Sequence, residues 1–482
     1  MQHSRKPAPR RRNQRAFDLL DIPGLGRFLR WRHARTILQI PLFLIAAVMI
    51  WDGLTGSPLA PKNAATVLTW VHYRGLVTLA LLVAGNLFCM ACPFMLPRNL
   101  ARKFFTPARM WPRRLRNKWV AIALFVTFLF TYELFDLWAT PWWTAWILMS
   151  YFAAALVLDS LFKGAPFCKY VCPIGQFNMV SSLISPLEVT VRDPNACLSC
   201  HTKDCITGRD DLPGCELWLF QERKIGNMDC TFCLDCIHAC PHDNVGISLR
   251  MPGAELANDS RRSGIGVLSQ RTDISVLISI FTFGALLNAF GMVSPVYAVQ
   301  RWLANTLNLQ TEAAILGLIF TIGLILEPLA VLGLAAWLTR RFTNATESLV
   351  MLVNRYAVAL LPLGFGMWLA HYSFHFLTGF WSFLPVLRTI LSDVGIPFTW
   401  LPRTGLGPLV DQPKIYPLEL GFIGLGTVLA LWTAAQIAER TSPTRRWQAW
   451  TPWATLIIML AASAMWLVGQ PMEMRGTIFG AA

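Results

Sequence analysis

Long apolar runs, almost free of charge, recur along the chain, and short stretches rich in Arg and Lys separate them. A helix of about 20 apolar residues crosses a hydrocarbon core of about 30 Å. The pattern predicts about nine such spans, at 36–51, 65–88, 119–138, 143–162, 274–299, 312–338, 349–377, 416–438 and 453–469. One stretch breaks the rhythm. Between 164 and 273 polar residues and cysteines replace the apolar runs, and two β-prone pieces, 189–192 and 245–249, flank most of the cysteines. The chain therefore divides into a basic segment (1–35), a four-helix half (36–163), a cysteine-rich insert (164–250), a polar linker (251–273) and a five-helix half (274–482).

Composition agrees with a membrane protein. Of 482 residues, 54% are hydrophobic and only 14% charged, and 20 Trp and 30 Phe suit aromatic belts at the two interfaces. The formal charge of +15 does not indicate nucleic-acid binding, because the basic excess is confined to short loops, as the positive-inside rule requires. After the second run come Arg98, Arg102, Lys103, Arg109, Arg113, Arg114, Arg116 and Lys118, with no acid among them. The N-terminal segment carries Arg5, Lys6, Arg10, Arg11, Arg12 and Arg15 without the apolar core of a signal peptide. Both are expected on the cytoplasmic side of a bacterial inner membrane, with the cysteine-rich insert; the loop 379–413 and the C-terminus are expected to be periplasmic. Residues 17–31 are expected to lie as an interfacial helix on the inner leaflet.

Twelve cysteines carry the candidate chemistry. Cys230-x2-Cys233-x2-Cys236-x3-Cys240-Pro241 is the bacterial ferredoxin run, in which three thiolates of one loop hold a [4Fe–4S] cluster and the fourth serves a neighbouring cluster. A zinc site would use paired C-x2-C knuckles. The partner half is Cys197-x2-Cys200-x4-Cys205 and then Cys215. Exchange of the fourth ligands predicts Cys197, Cys200, Cys205 and Cys240 on one cluster, and Cys215, Cys230, Cys233 and Cys236 on the other. Cys89/Cys92 and Cys168/Cys172 follow the second and fourth runs, each pair with proline behind it. They are candidates for a third cluster; buried apolar thiols and a thiol–disulfide pair are the competing readings. The fold class expected is a polytopic α-helical membrane protein with an inserted small α+β, ferredoxin-like, two-cluster domain.

The stretches Asn86-Leu-Phe-Cys-Met-Ala-Cys-Pro93 and Phe167-Cys-Lys-Tyr-Val-Cys-Pro173, with the cysteine-rich segment after them, resemble the NapH/NosR/CcoG group of membrane iron–sulfur proteins over about residues 65–250. The resemblance implies electron transfer between a quinone or cytoplasmic donor and a redox partner at or across the membrane. The alternative it admits is a maturation factor that reduces copper or thiols for a respiratory enzyme. The chain departs from that group in having C-x2-C at the first pair, where C-x3-C is usual, and five further spans after 270.

Ionisable residues within spans mark functional candidates. His72, His371 and His375 are candidates for one b-type haem, a quinol site or copper; hydrogen bonding to backbone carbonyls is the structural alternative. His201, His238 and His242 are expected to tune cluster potential by hydrogen bonding. Glu327-Pro328 is expected to kink its span, and Met472 with Met474 forms a weak copper-like pattern. No acid, base or nucleophile constellation stands out, so an electron carrier is expected rather than an independent enzyme.

Overall fold

A computed structural model describes residues 17–396, 398–404 and 406–473. The arginines before residue 16 and Met474 lie outside the described residues. Among the described residues eight helices are long and apolar enough to cross a membrane: Ala34–Thr55, Ala64–Ala84, Pro141–Leu161, Thr272–Phe290, Glu312–Thr343, Leu349–Asp393, Pro413–Thr441 and Pro443–Val468. The expected third span is shorter. Its helix, Trp119–Leu134, has 16 residues and stops before Asp136, which takes a left-handed φ of 42°. At 1.5 Å per residue that is about 24 Å, less than the hydrocarbon thickness.

Other boundaries also moved. The expected run 274–299 ends at Phe290, where Gly291 follows, and a separate helix Pro295–Leu307 begins with proline in its first turn, where no N–H is needed. Part of the expected loop 379–413 is the helix Phe383–Asp393, because Val386 is buried beside Met49, Ala64 and Val67. The Glu327-Pro328 irregularity is present as a π-helical turn, Ile322–Leu326, just before the proline that cannot donate to the ladder.

Residues 17–31 do not form the expected long interfacial helix. Their six-residue helix Leu25–Arg30 and the Asp18 backbone dock on the two-stranded sheet: Asp18 bridges Ser248, and its carboxylate accepts from Ile247 N–H at 3.1 Å and from Arg192 Nε at 2.9 Å. Leu20 and Leu29 thereby bury against Leu187, Val189 and Ile247. The sheet pairs β1 (Leu187–Val191) with β2 (Val245–Leu249) antiparallel, Val189 opposite Ile247. The main apolar core draws residues from before, within and after the insert, including Leu81, Phe125, Phe177, Phe281, Trp368 and Trp453.

Candidate functional site

The polypeptide around each cysteine pair is shaped by a proline or by left-handed residues. Gly85, at φ 69°, ends the second span, and the turn Leu87–Met90 carries Cys89. Gly85 lies so close under the Phe232 ring that an added Cβ would stand 2.6 Å from it. A substituent there would separate the membrane half from the insert. The other pair spans a π turn, Phe167–Val171, and the start of the helix Pro173–Ser181. Pro173 occupies the first helical position, and Cys172 Sγ caps that helix by accepting from Gly175 N–H at 3.1 Å. The proline after the cysteine thus fixes the thiol at a helix N-terminus, which favours negative charge.

The thiols of Cys89, Cys92, Cys168 and Cys172 lie within one another's electrostatic range. Asn178 Nδ2 is 3.5 Å from Cys89 Sγ, and Gln39 Nε2 and Gln176 Nε2 donate to the carbonyls of Cys92 and Cys168 at 3.2 and 3.0 Å. Burial pushes Cys89 up to about 11 and Cys92 up to about 12, and holds Cys168 and Cys172 well above the usual thiol range. Such thiols stay neutral unless a cation compensates them.

A second four-thiol group comprises Cys215, Cys230, Cys233 and Cys236. Between these cysteines Asp229, Phe232 and Leu234 take left-handed φ values of 61°, 55° and 67°. Non-glycine residues in that region cost about 1–3 kcal/mol each. Left-handed residues alternating with right-handed ones are the backbone pattern of the nests used at anionic iron–sulfur and phosphate sites. Buried charges hold the loop. Lys118 Nζ, 1% exposed, meets Asp229 Oδ1 at 2.6 Å and donates to Lys169 O at 2.7 Å. Burial outweighs the pull of Asp229 and lowers the Lys118 ammonium from the ordinary lysine value.

The third group is Cys197, Cys200, Cys205 and Cys240, which line one small cavity with Asn244. Asn244 Nδ2 donates to Asp193 O at 2.7 Å and lies 3.3 Å from Cys197 Sγ, while its N–H points to Cys240 Sγ at 3.3 Å. These four thiols are all partly exposed, whereas Cys172, Cys215, Cys230 and Cys236 are buried. All twelve cysteines are free, and the thiols that act on one another electrostatically include those within each of these groups. The groups adjoin: Cys89 feels Cys230, Asn86 Nδ2 donates to Cys230 O at 3.1 Å, and one apolar cluster contains or touches Met90, Cys168, Cys215, Cys230, Cys205 and Cys240.

Among the described residues no three His, Cys, Asp or Glu side chains are drawn together as they would be around a single metal ion. Tetrahedral bonds of about 2.3 Å to one zinc hold sulfurs roughly 3.8 Å apart, whereas a cubane keeps iron and sulfide between its thiolates. Four thiols at each place are the donor type and number that a [4Fe–4S] cluster takes.

An ion network locks this face. Arg98 meets Asp159 at 3.4 Å and Glu216 at 2.6 Å, and Arg102 meets Glu216 at 2.5 Å, tying the Pro141–Leu161 helix to the residue after Cys215. Burial would raise the Glu216 carboxyl, but the two guanidiniums hold it below the usual range.

The histidines are arranged differently from the cysteines. His72 lies between Val67 O at 3.2 Å and Phe380 O at 2.8 Å. His371 and His375 stand edge to face, centroids 4.9 Å apart. Two axial ligands of one haem have centroids about 6 Å apart, so the geometry disfavours a haem held between that pair. His371 Nε2 is buried without a hydrogen bond. Arg74 lies close by, its guanidinium 4.4, 4.3 and 5.0 Å from the Trp70, Tyr132 and Tyr372 rings, with Nη1 donating to Tyr132 at 3.0 Å. Within the insert, His238 Nε2 contacts Leu29 O at 3.0 Å rather than a thiol. Sequence reasoning missed Asn86, Asn178 and Asn244, although each is an amide within six residues of a cysteine.

The chain matches no family model and no solved structure. Over 102 residues, 20% of its length, it is 30% identical to a protein of Escherichia coli (strain K12) named "Putative electron transport protein YccM". The match covers 26% of that protein, so the chain spans about a quarter of the length of this curated relative.

Proposed function

We propose that this chain is a membrane-bound electron-transfer protein whose twelve cysteines hold three [4Fe–4S] clusters. The observation that carries the reading is the proximity of the thiols within three adjoining groups of four, of which the Cys197 group is partly exposed throughout. The electron-transport name of the E. coli protein that shares part of the sequence supports the same role. Clusters bound there would supply one-electron transfer. The chain's own residues supply the rest. Thiolates ligate, Asn86, Asn178 and Asn244 fix the loops, and the Arg98–Glu216–Arg102 network keeps membrane helices and insert in register.

In this reading the partly exposed Cys197 group faces a soluble redox partner. The Cys89 group faces the membrane half, where Arg74, His371 and His375 offer donors to the head group of a quinone. Iron and acid-labile sulfide determination on the full chain, purified anaerobically in detergent, tests the proposal. About twelve irons and twelve sulfides per chain are expected; stoichiometric zinc with no sulfide would overturn it.

A further inference from the structure

Arg35 stands in the first turn of the first membrane helix, Ala34–Thr55. Its Nη1 lies 3.6 Å from Asp235 Oδ2, and its Nε is buried without a hydrogen bond. On one side its charge acts on Cys89 and Cys92 and feels Cys168; on the other it acts on Cys233. The influences on Cys197 and Cys205 come instead from burial and from their own surroundings, Asn244, Gln221, Cys200 and Cys240 among them. Gln39, one helical turn on, donates to Cys92 O at 3.2 Å. Residues four apart share a helix face, so this bond also fixes where Arg35 stands. Other charges acting at these two groups include the carboxylates of Asp235, Glu216 and Asp159, the guanidinium of Arg98, and Lys169 and Lys224.

We propose that Arg35 is a potential-setting residue: a fixed cation, shared by the Cys89/Cys92/Cys168/Cys172 group and the Cys215/Cys230/Cys233/Cys236 group, that raises the reduction potential of both bound clusters and leaves the third untouched. This rests on the cluster reading above. Each one-electron reduction adds one negative charge to a cluster. A nearby positive charge in a medium of low effective dielectric stabilises the reduced form more than the oxidised form. Guanidinium suits the task because it cannot be deprotonated in a protein, and the Asp235 contact leaves most of its donors uncommitted.

The experiment is a redox titration monitored by electron paramagnetic resonance on the full-length protein in nanodiscs, with Arg35→Gln, Arg35→Lys and Asp235→Asn. Arg35→Gln is expected to lower the reduced-to-oxidised ratio about tenfold at fixed potential for two of three signals, a downward shift of about 59 mV for one electron. The third signal should not move, Arg35→Lys should restore most of the shift, and Asp235→Asn should move the same two signals upward. Unchanged potentials in an Arg35→Gln protein with full iron, or equal shifts in all three signals, would overturn the proposal. Should Arg35→Gln lose iron, Asp235→Asn carries the test: an upward shift confined to two signals supports the assignment, and none refutes it. A wild-type protein without iron would instead sink the cluster reading itself.

Discussion

Replacing Lys118 with Met probes whether buried charge holds the loop before Cys230. The substitution keeps the apolar stem and removes the ammonium. Asp229, 2% exposed, would then have Lys169 Nζ at 3.9 Å as its remaining cationic partner, and Lys169 O would lose a donor at 2.7 Å. Breaking a buried pair from one side costs about 3–5 kcal/mol, because the partner charge stays desolvated. Asp229 also holds a left-handed φ of 61°, worth about 1–3 kcal/mol of strain that the ion pair sustains. Relaxation of that residue would move Cys230 out of its group. The expected result is a lower melting temperature in nanodiscs, together with loss of about one third of the iron, the share of a single group. Lys118→Met with Asp229→Asn removes both charges and should recover most of the stability. A Lys118→Met protein with wild-type melting and full iron would refute the argument.

The remaining predictions concern other supports of the same architecture. Asn244→Leu deletes bonds of 2.7 Å to Asp193 O and from Asp193 N–H, so the Cys197 group alone should lose iron while the other two signals persist; loss of all three would contradict a local role. Glu216 and Glu255 are held below the usual carboxylate range by Arg98 with Arg102 and by Arg250 with Arg262, against the opposing effect of burial. Their contribution is therefore fully present above an unfolded value of about 4.3 and fades as pH falls through the lowered folded values. Thermal scans from neutral to acidic pH should show this loss, and Glu216→Gln should flatten it. Arg74→Lys replaces a guanidinium caged by three rings with a compact ammonium and should cost about 2–4 kcal/mol, read as a lower melting temperature; unchanged melting would show that the cage contributes nothing.

Much of the membrane architecture was legible because apolar run length is a one-dimensional signal. It misled where a single residue stops a helix without changing mean hydropathy. Asp136 ends the helix at Trp119–Leu134, Gly291 and Pro295 split the run after residue 274, and Val386 makes a membrane-packed helix of an expected loop. The docking of residues 17–31 was hidden for a different reason. Their basic amphipathic composition suits a lipid surface equally well, and only the pairing of Asp18 with Ser248 and Arg192 decides against it.

Cysteine spacing is written in the sequence, whereas what sets the thiols' environment is not. Arg35, Lys118 and Arg98 read as three members of a basic excess that orients a membrane protein, and nothing in their local sequence separates them from Arg113 or Arg114. The fold separates them by burial. Arg98 and Lys118 are each 1% exposed and face carboxylates from segments more than sixty residues away, while no salt bridge involves Arg113 or Arg114 among the described residues. A charge that only orients the chain can stay in water, where it costs little. A charge carried into a thiol-lined seam must be offset by what it stabilises there. For Lys118 the offset is a strained aspartate one residue before Cys230; for Arg98 it is the pair Asp159 and Glu216. For Arg35, with Asp235 at 3.6 Å and a buried Nε that bonds nothing, the carboxylate accounts for only part of the offset. Glu216, also within its electrostatic range, and the 16% of the side chain left in contact with solvent contribute to the rest; thiolates ionised by bound clusters, as proposed above, would add to it.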